Sequence, residues 1–119
     1  MKLKAIVLDS DDLKGVAAFY VKLLGGELKS CNEAYATVAF PGSDVLYYFQ
    51  QAEHYTRPVW PEEAARQQQM IHMDYVAEDR EQAVRHAVAC GAAVAPVQFL
   101  EDSIVMLDPA GHPFCICTR

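Results

Sequence analysis

The chain has 119 residues, 52% of them hydrophobic and 22% charged, which suits one folded domain and excludes a disordered segment. A formal net charge of -6 and a pI of about 5.0 exclude the basic surface that nucleic acid or an anionic membrane would require. Acidic residues follow the first lysines before an apolar run can form, and no stretch approaches membrane-spanning length. A cytoplasmic protein with no signal peptide is therefore expected.

Residues 4–9, KAIVLD, predict a strand. A helix is expected over 12–26, because Leu13, Val16, Tyr20, Leu23 and Leu24 form one stripe and Gly25-Gly26 supplies a stop. Extended segments at 27–31, 35–40 and 45–50 follow, separated by turn signals at Asn32-Glu33 and Pro41-Gly42. Residues 51–69 read as a polar linker broken by Arg57-Pro58 and Trp60-Pro61, with a short helical turn expected over 62–69.

The second half runs in the same order. Residues 71–77 predict a strand, and Asp79 a helix cap, with Gln82 placed to complete a capping box. Ala83, Val84, Ala87 and Val88 form the apolar stripe, and Gly91 ends the helix. Extended segments at 93–98, 103–107 and 114–117 follow, the last after the turn 108-DPAGHP-113. Ala5 aligns with His72, Asp12 with Asp79, Gly25 with Gly91, and Pro41-Gly42 with 109-PAG-111. A βαβββ unit thus occurs twice in a single α+β domain, with modules at about 1–50 and 70–119 joined by 51–69. Neither small sheet buries both its faces alone, so the modules are expected to pack together.

Few residues carry recognisable chemistry. Cys31, Cys90, Cys115 and Cys117 show neither a CxxC pair nor zinc-finger spacing, and read as reduced thiols. No phosphate loop, nucleophile elbow or dinucleotide fingerprint is present. His72 and Asp74 share one face of a predicted strand. Such a pair is a metal or catalytic site, a satisfied core pair, or an accident of an edge strand. Ile71, Met73 and Tyr75 take the other face and are expected to pack on the helices. Trp60, the only tryptophan, either anchors the joint between modules or forms an aromatic wall. His112, in the last turn, is expected at the surface.

The paired arrangement resembles the vicinal oxygen chelate superfamily, which includes glyoxalases, bleomycin-resistance proteins and extradiol dioxygenases, and is nearest its glyoxalase-like branch. The resemblance spans residues 3–118. It rests on Phe19-Tyr20…Leu24-Gly25-Gly26, Trp60-Pro61, 72-HMDYVAED-79 and 108-DPAGHPFCIC-117. It implies a curled mixed sheet with helices on its outer face, a ligand cup between the modules, and a homodimer.

In metal-using members the first and last strands of each module hold a divalent cation. His72 matches one such position, and Ala5 stands at its counterpart. Cys115 stands where a glutamate is expected, with its counterpart near Leu46. The ligand set for zinc, nickel, manganese or magnesium is incomplete, so no cofactor is expected. The resemblance then implies a metal-independent small-molecule-binding protein, with His72, Asp74, Tyr48, Trp60, Met106 and Cys115 as ligand-binding residues. The alternative is a metal-dependent lyase or isomerase that uses His72. A domain whose cup is closed is a third reading.

Overall fold

The computed structural model describes all 119 residues, which form two compact units, Met1–Tyr55 and Thr56–Arg119. In the first, β1 (Ala5–Ser10) leads to α1 (Leu13–Leu24), then β2 (Glu27–Cys31), β3 (Tyr35–Ala39) and β4 (Leu46–Gln51). The sheet order is β1-β4-β3-β2, with β1 parallel to β4 and the other pairs antiparallel. Helix α1 starts where the Asp12 carboxylate accepts the Gly15 N–H at 3.0 Å. It stops at Gly25, whose φ of 67° is left-handed and suits a residue without a side chain. Its buried stripe of Leu13, Val16, Phe19 and Tyr20 joins a core that includes Val38, Tyr47 and Phe49. The Tyr20 ring stacks on Phe49 at 5.4 Å and meets Tyr47 edge-on at 5.5 Å.

The second unit repeats the order as β5 (Met73–Val76), α2 (Arg80–Cys90), β6 (Ala93–Val94), β7 (Ser103–Leu107) and β8 (Pro113–Cys117). Its sheet runs β5-β8-β7-β6, again with its first and last strands parallel. The expected pair of βαβββ modules, each a mixed sheet with one helix, is therefore present. Asp79 caps α2 by accepting the Gln82 N–H at 2.9 Å. Only Ala87 of this helix is buried, so α2 covers its sheet less thoroughly than α1 does.

Ladder register sharpens the internal match. Val7 faces Tyr48 in the first unit, and Asp74 faces Cys115 in the second, at the same separation along the chain. Cys115 is thus equivalent to Tyr48, and Leu46, assigned to that place from sequence, is equivalent to Pro113.

Other expectations are corrected locally. The strand expected over 71–77 begins at Met73, and Ile71 is exposed instead of packing on a helix. Only Ala93–Val94 of the segment 93–98 is a strand. Pro96 has no N–H to continue a ladder. The Gln98 side chain takes over the pairing: its amide donates to the Ala95 and Val105 carbonyls and accepts the Val105 N–H. Residues 62–69 hold a single turn at 64–65 and no helix, and Ala65 sits at a φ of 59°. His112 is buried. The Asp108 carboxylate accepts the N–H groups of Ala110 and His112 at 2.9 Å each and meets His112 Nδ1 at 2.9 Å.

Candidate functional site

The second unit gathers unusual chemistry on one face of its sheet. Side chains alternate along a strand while register partners share a face. Asp74 on β5, Cys115 on β8 and Val105 on β7 therefore line up across the sheet, with Cys117 and Ser103 forming the next row. Ala95, Val105 and Cys115 are buried together, with Trp60, Leu107 and Cys117 packed against them. The polar end of this apolar patch is His72, just ahead of β5, whose Nε2 lies 3.3 Å from Asp74 Oδ1. Both side chains are well exposed, so this pair adds little to stability. The Trp60 ring stands beside the imidazole, centroid to centroid 6.1 Å.

Cys115 is a protonated thiol at neutral pH. Burial, then the Asp74 charge and a hydrogen bond with Asp74, push its pKa up from 9.0 to about 11. Burial and the charges of Asp74 and Asp102 raise Cys117 too. Two groups here lack partners: Trp60 Nε1 and Ser103 Oγ are buried without a hydrogen bond. Buried polar atoms are normally paired, and an indole N–H can only donate, so Trp60 needs an acceptor.

The structure thus brings together four of the six sequence candidates: His72, Asp74, Trp60 and Cys115. Met106 lies elsewhere. It faces Phe114 in the ladder and is fully buried on the opposite side of the sheet from Cys115, because it alternates with Val105. Tyr48 belongs to the first unit, on a face with Val7 and Thr37, with the Lys4 ammonium 5.7 Å from its ring centre. Sequence reading missed Ser103 and Val105 as members of the face. Their spacing of two within a predicted strand was the available signal.

The residues do not fit a hard cation of the family type. At the equivalent positions, the first unit offers Ala5 and the Tyr48 phenol, and the second His72 and the Cys115 thiol. Magnesium and manganese prefer carboxylate and carbonyl oxygens, which this set replaces with a methyl group and sulfur.

Paired βαβββ modules with one helix on each mixed sheet define an α+β protein of the vicinal oxygen chelate class. The family model of the glyoxalase-like domain matches residues 5–117, and the chain belongs to that family. A glyoxalase/bleomycin resistance protein/dioxygenase family enzyme from Burkholderia phytofirmans PsJN is similar in structure, with a TM-score of 0.72 at 17% identity over 99% of this chain and 98% of that one. Lactoylglutathione lyase from Agrobacterium tumefaciens superposes with a TM-score of 0.64 at 17% identity, over 98% and 92% of the two chains. An antibiotic-binding protein from Streptomyces sp. CB03234 gives 0.65 at 15% identity, over 100% and 96%. These identities establish a shared fold. No curated protein matches the sequence significantly. No helix is long and apolar enough to cross a membrane.

Proposed function

We propose that this chain is a small-molecule-binding protein that holds a flat aromatic or amphipathic compound against the Trp60 face of the second unit, without a resident magnesium or manganese ion. The observation that carries this reading is the buried, unpartnered Trp60 Nε1 at the edge of an apolar patch. A ligand carbonyl or phenolic oxygen would accept that N–H, its ring would lie on the patch, and its polar end would meet His72. The likeness to an antibiotic-binding protein supports this use of the fold.

Trp60 is the only tryptophan, so its fluorescence reports on the site directly. Titration with salicylate, benzoate and hydroxyquinones is expected to change the emission saturably for at least one class. Fluorescence unaltered by the whole panel, together with no thermal stabilisation, would sink this reading. The alternative, a metal-dependent lyase or isomerase, draws on the same His72 and would require turnover of a substrate with adjacent oxygens.

A further inference from the structure

We infer that His86 and Cys90 form a surface site for a soft, two-coordinate cation of the copper(I) and silver(I) class. The two residues stand four positions apart on α2, so the helix itself brings their side chains to one face. Cys90 Sγ lies 3.7 Å from His86 Nε2 and 3.9 Å from Nδ1. Bonds of about 2.0–2.3 Å to imidazole nitrogen and thiolate sulfur would set the two donors about 4.3 Å apart around a linear ion. The imidazole is exposed and Cys90 half-buried, so a rotation that opens the pair by about 0.6 Å seats the ion.

The donor types select the cation. Thiolate sulfur and imidazole nitrogen suit a soft metal, and they offer none of the oxygen ligands that magnesium and calcium take. Two donors complete a linear copper(I) or silver(I) ion, whereas they are too few to hold a tetrahedral zinc ion tightly. Binding exchanges the thiol proton for the metal, and that proton leaves to the buffer. Cys90 is the last residue of α2, and no basic side chain stands in the last turn. A bound cation therefore meets the negative end of the helix dipole without an opposing charge. Both donors belong to a helix, and no strand of the sheet supplies one. Cys31, the exposed thiol on β2, approaches the Asn32 carbonyl oxygen instead of a nitrogen and serves as an internal control.

Copper(I) presented as its bicinchoninate complex tests the site on the full chain. No organic ligand is added, so the outcome is independent of the small-molecule reading. The chelator keeps free copper too low for a single thiol to hold it, and alkylation with N-ethylmaleimide, read by mass spectrometry, follows each cysteine separately. Copper is expected to slow alkylation of Cys90 by about tenfold or more while leaving Cys31 unchanged. His86→Ala should remove most of that protection without altering the fold, which circular dichroism checks. Cys90→Ser should reduce the copper withdrawn from the chelator by one equivalent per chain. Cys90 alkylated at the same rate with and without copper, or protected equally in His86→Ala, overturns the inference.

Discussion

Asp74 and Cys115 face each other directly across the parallel β5–β8 ladder, and that relationship adds to burial, the larger cause, in keeping the thiol protonated. A carboxylate beside a buried sulfur disfavours the thiolate by charge repulsion, and also accepts a hydrogen bond from the protonated S–H. Nucleophilic catalysis by Cys115 is disfavoured accordingly.

Alkylation should reveal this. Raising a thiol by about two pKa units lowers its thiolate fraction near neutral pH about 100-fold, before burial slows it further. Mass spectrometry after iodoacetamide treatment at about pH 7.5, well below the 9.0 of an ordinary cysteine, should show Cys31, which is exposed, modified long before Cys115. Asp74→Asn should speed modification of Cys115. Equal rates at the two positions would contradict the assigned geometry.

The same shift links the thiol to stability. Cys115 titrates at about 11 in the folded chain, against 9.0 for an ordinary cysteine. The proton-bearing form is therefore favoured by folding, and its contribution is present in full below pH 9.0 and lost as pH rises through about 11. Urea denaturation across that window should show wild type losing stability more steeply than Cys115→Ala. Parallel profiles would mean that the thiol is not buried beside a charge.

Legibility from sequence followed the range of the interactions involved. Period identified both helices, with Gly25-Gly26 as the stop of the first and Asp79 as the cap of the second, signals that act within a few residues. The Asp12 cap emerged only in the structure. The repeat alignment matches Ala5 with His72 at the same offset as the ladder equivalence of Val7 and Asp74, although His72 lies just ahead of β5. It misplaced the counterpart of Cys115, since the intervening turns absorb small shifts that only ladder register reveals. Met106 looked like a site residue because alternation within one strand does not say which face is open. The buried Asp108–His112 pair was hidden by composition: a turn rich in Pro, Gly and Asp reads as surface, yet its own carboxylate supplies the partners that burial requires.

That turn gives a stability prediction. Asp108 is 2% exposed and satisfies two backbone N–H groups and the His112 ring. Asp108→Ala removes three buried hydrogen bonds at once and should cost about 2–4 kcal/mol. His112→Ala keeps both backbone bonds and should cost less. Urea midpoints order the two variants, and the reverse order would refute this account of the turn.

Assembly follows from the edge strands. Val7 on β1 and Val76 on β5 are 53% and 56% exposed, apolar side chains that association would cover. A homodimer is expected. Light scattering at micromolar concentration should return twice the 13.2 kDa chain mass, and Val7→Lys with Val76→Lys should shift it toward the monomer. A wild-type mass near that of one chain counts against pairing.

His72 separates a binding residue from a structural one. Its side chain is 42% exposed, and its one described ionic partner is the more exposed Asp74, so the free protein gains little from it. A ligand seated on Trp60 would cover the imidazole and turn an exposed polar group into a buried hydrogen-bonding one. His72→Ala should then weaken binding of the best fluorescence hit by about 1–3 kcal/mol while moving the urea midpoint very little, because water can occupy the vacated space. Trp60→Phe keeps an aromatic ring but removes the N–H, so the ligand's acceptor loses its donor and affinity should fall again. Calorimetry must replace fluorescence for that variant, since it carries no tryptophan. A large loss of stability in His72→Ala with unchanged affinity would instead make His72 part of the scaffold and Trp60 Nε1 an unpaired donor with no ligand to meet.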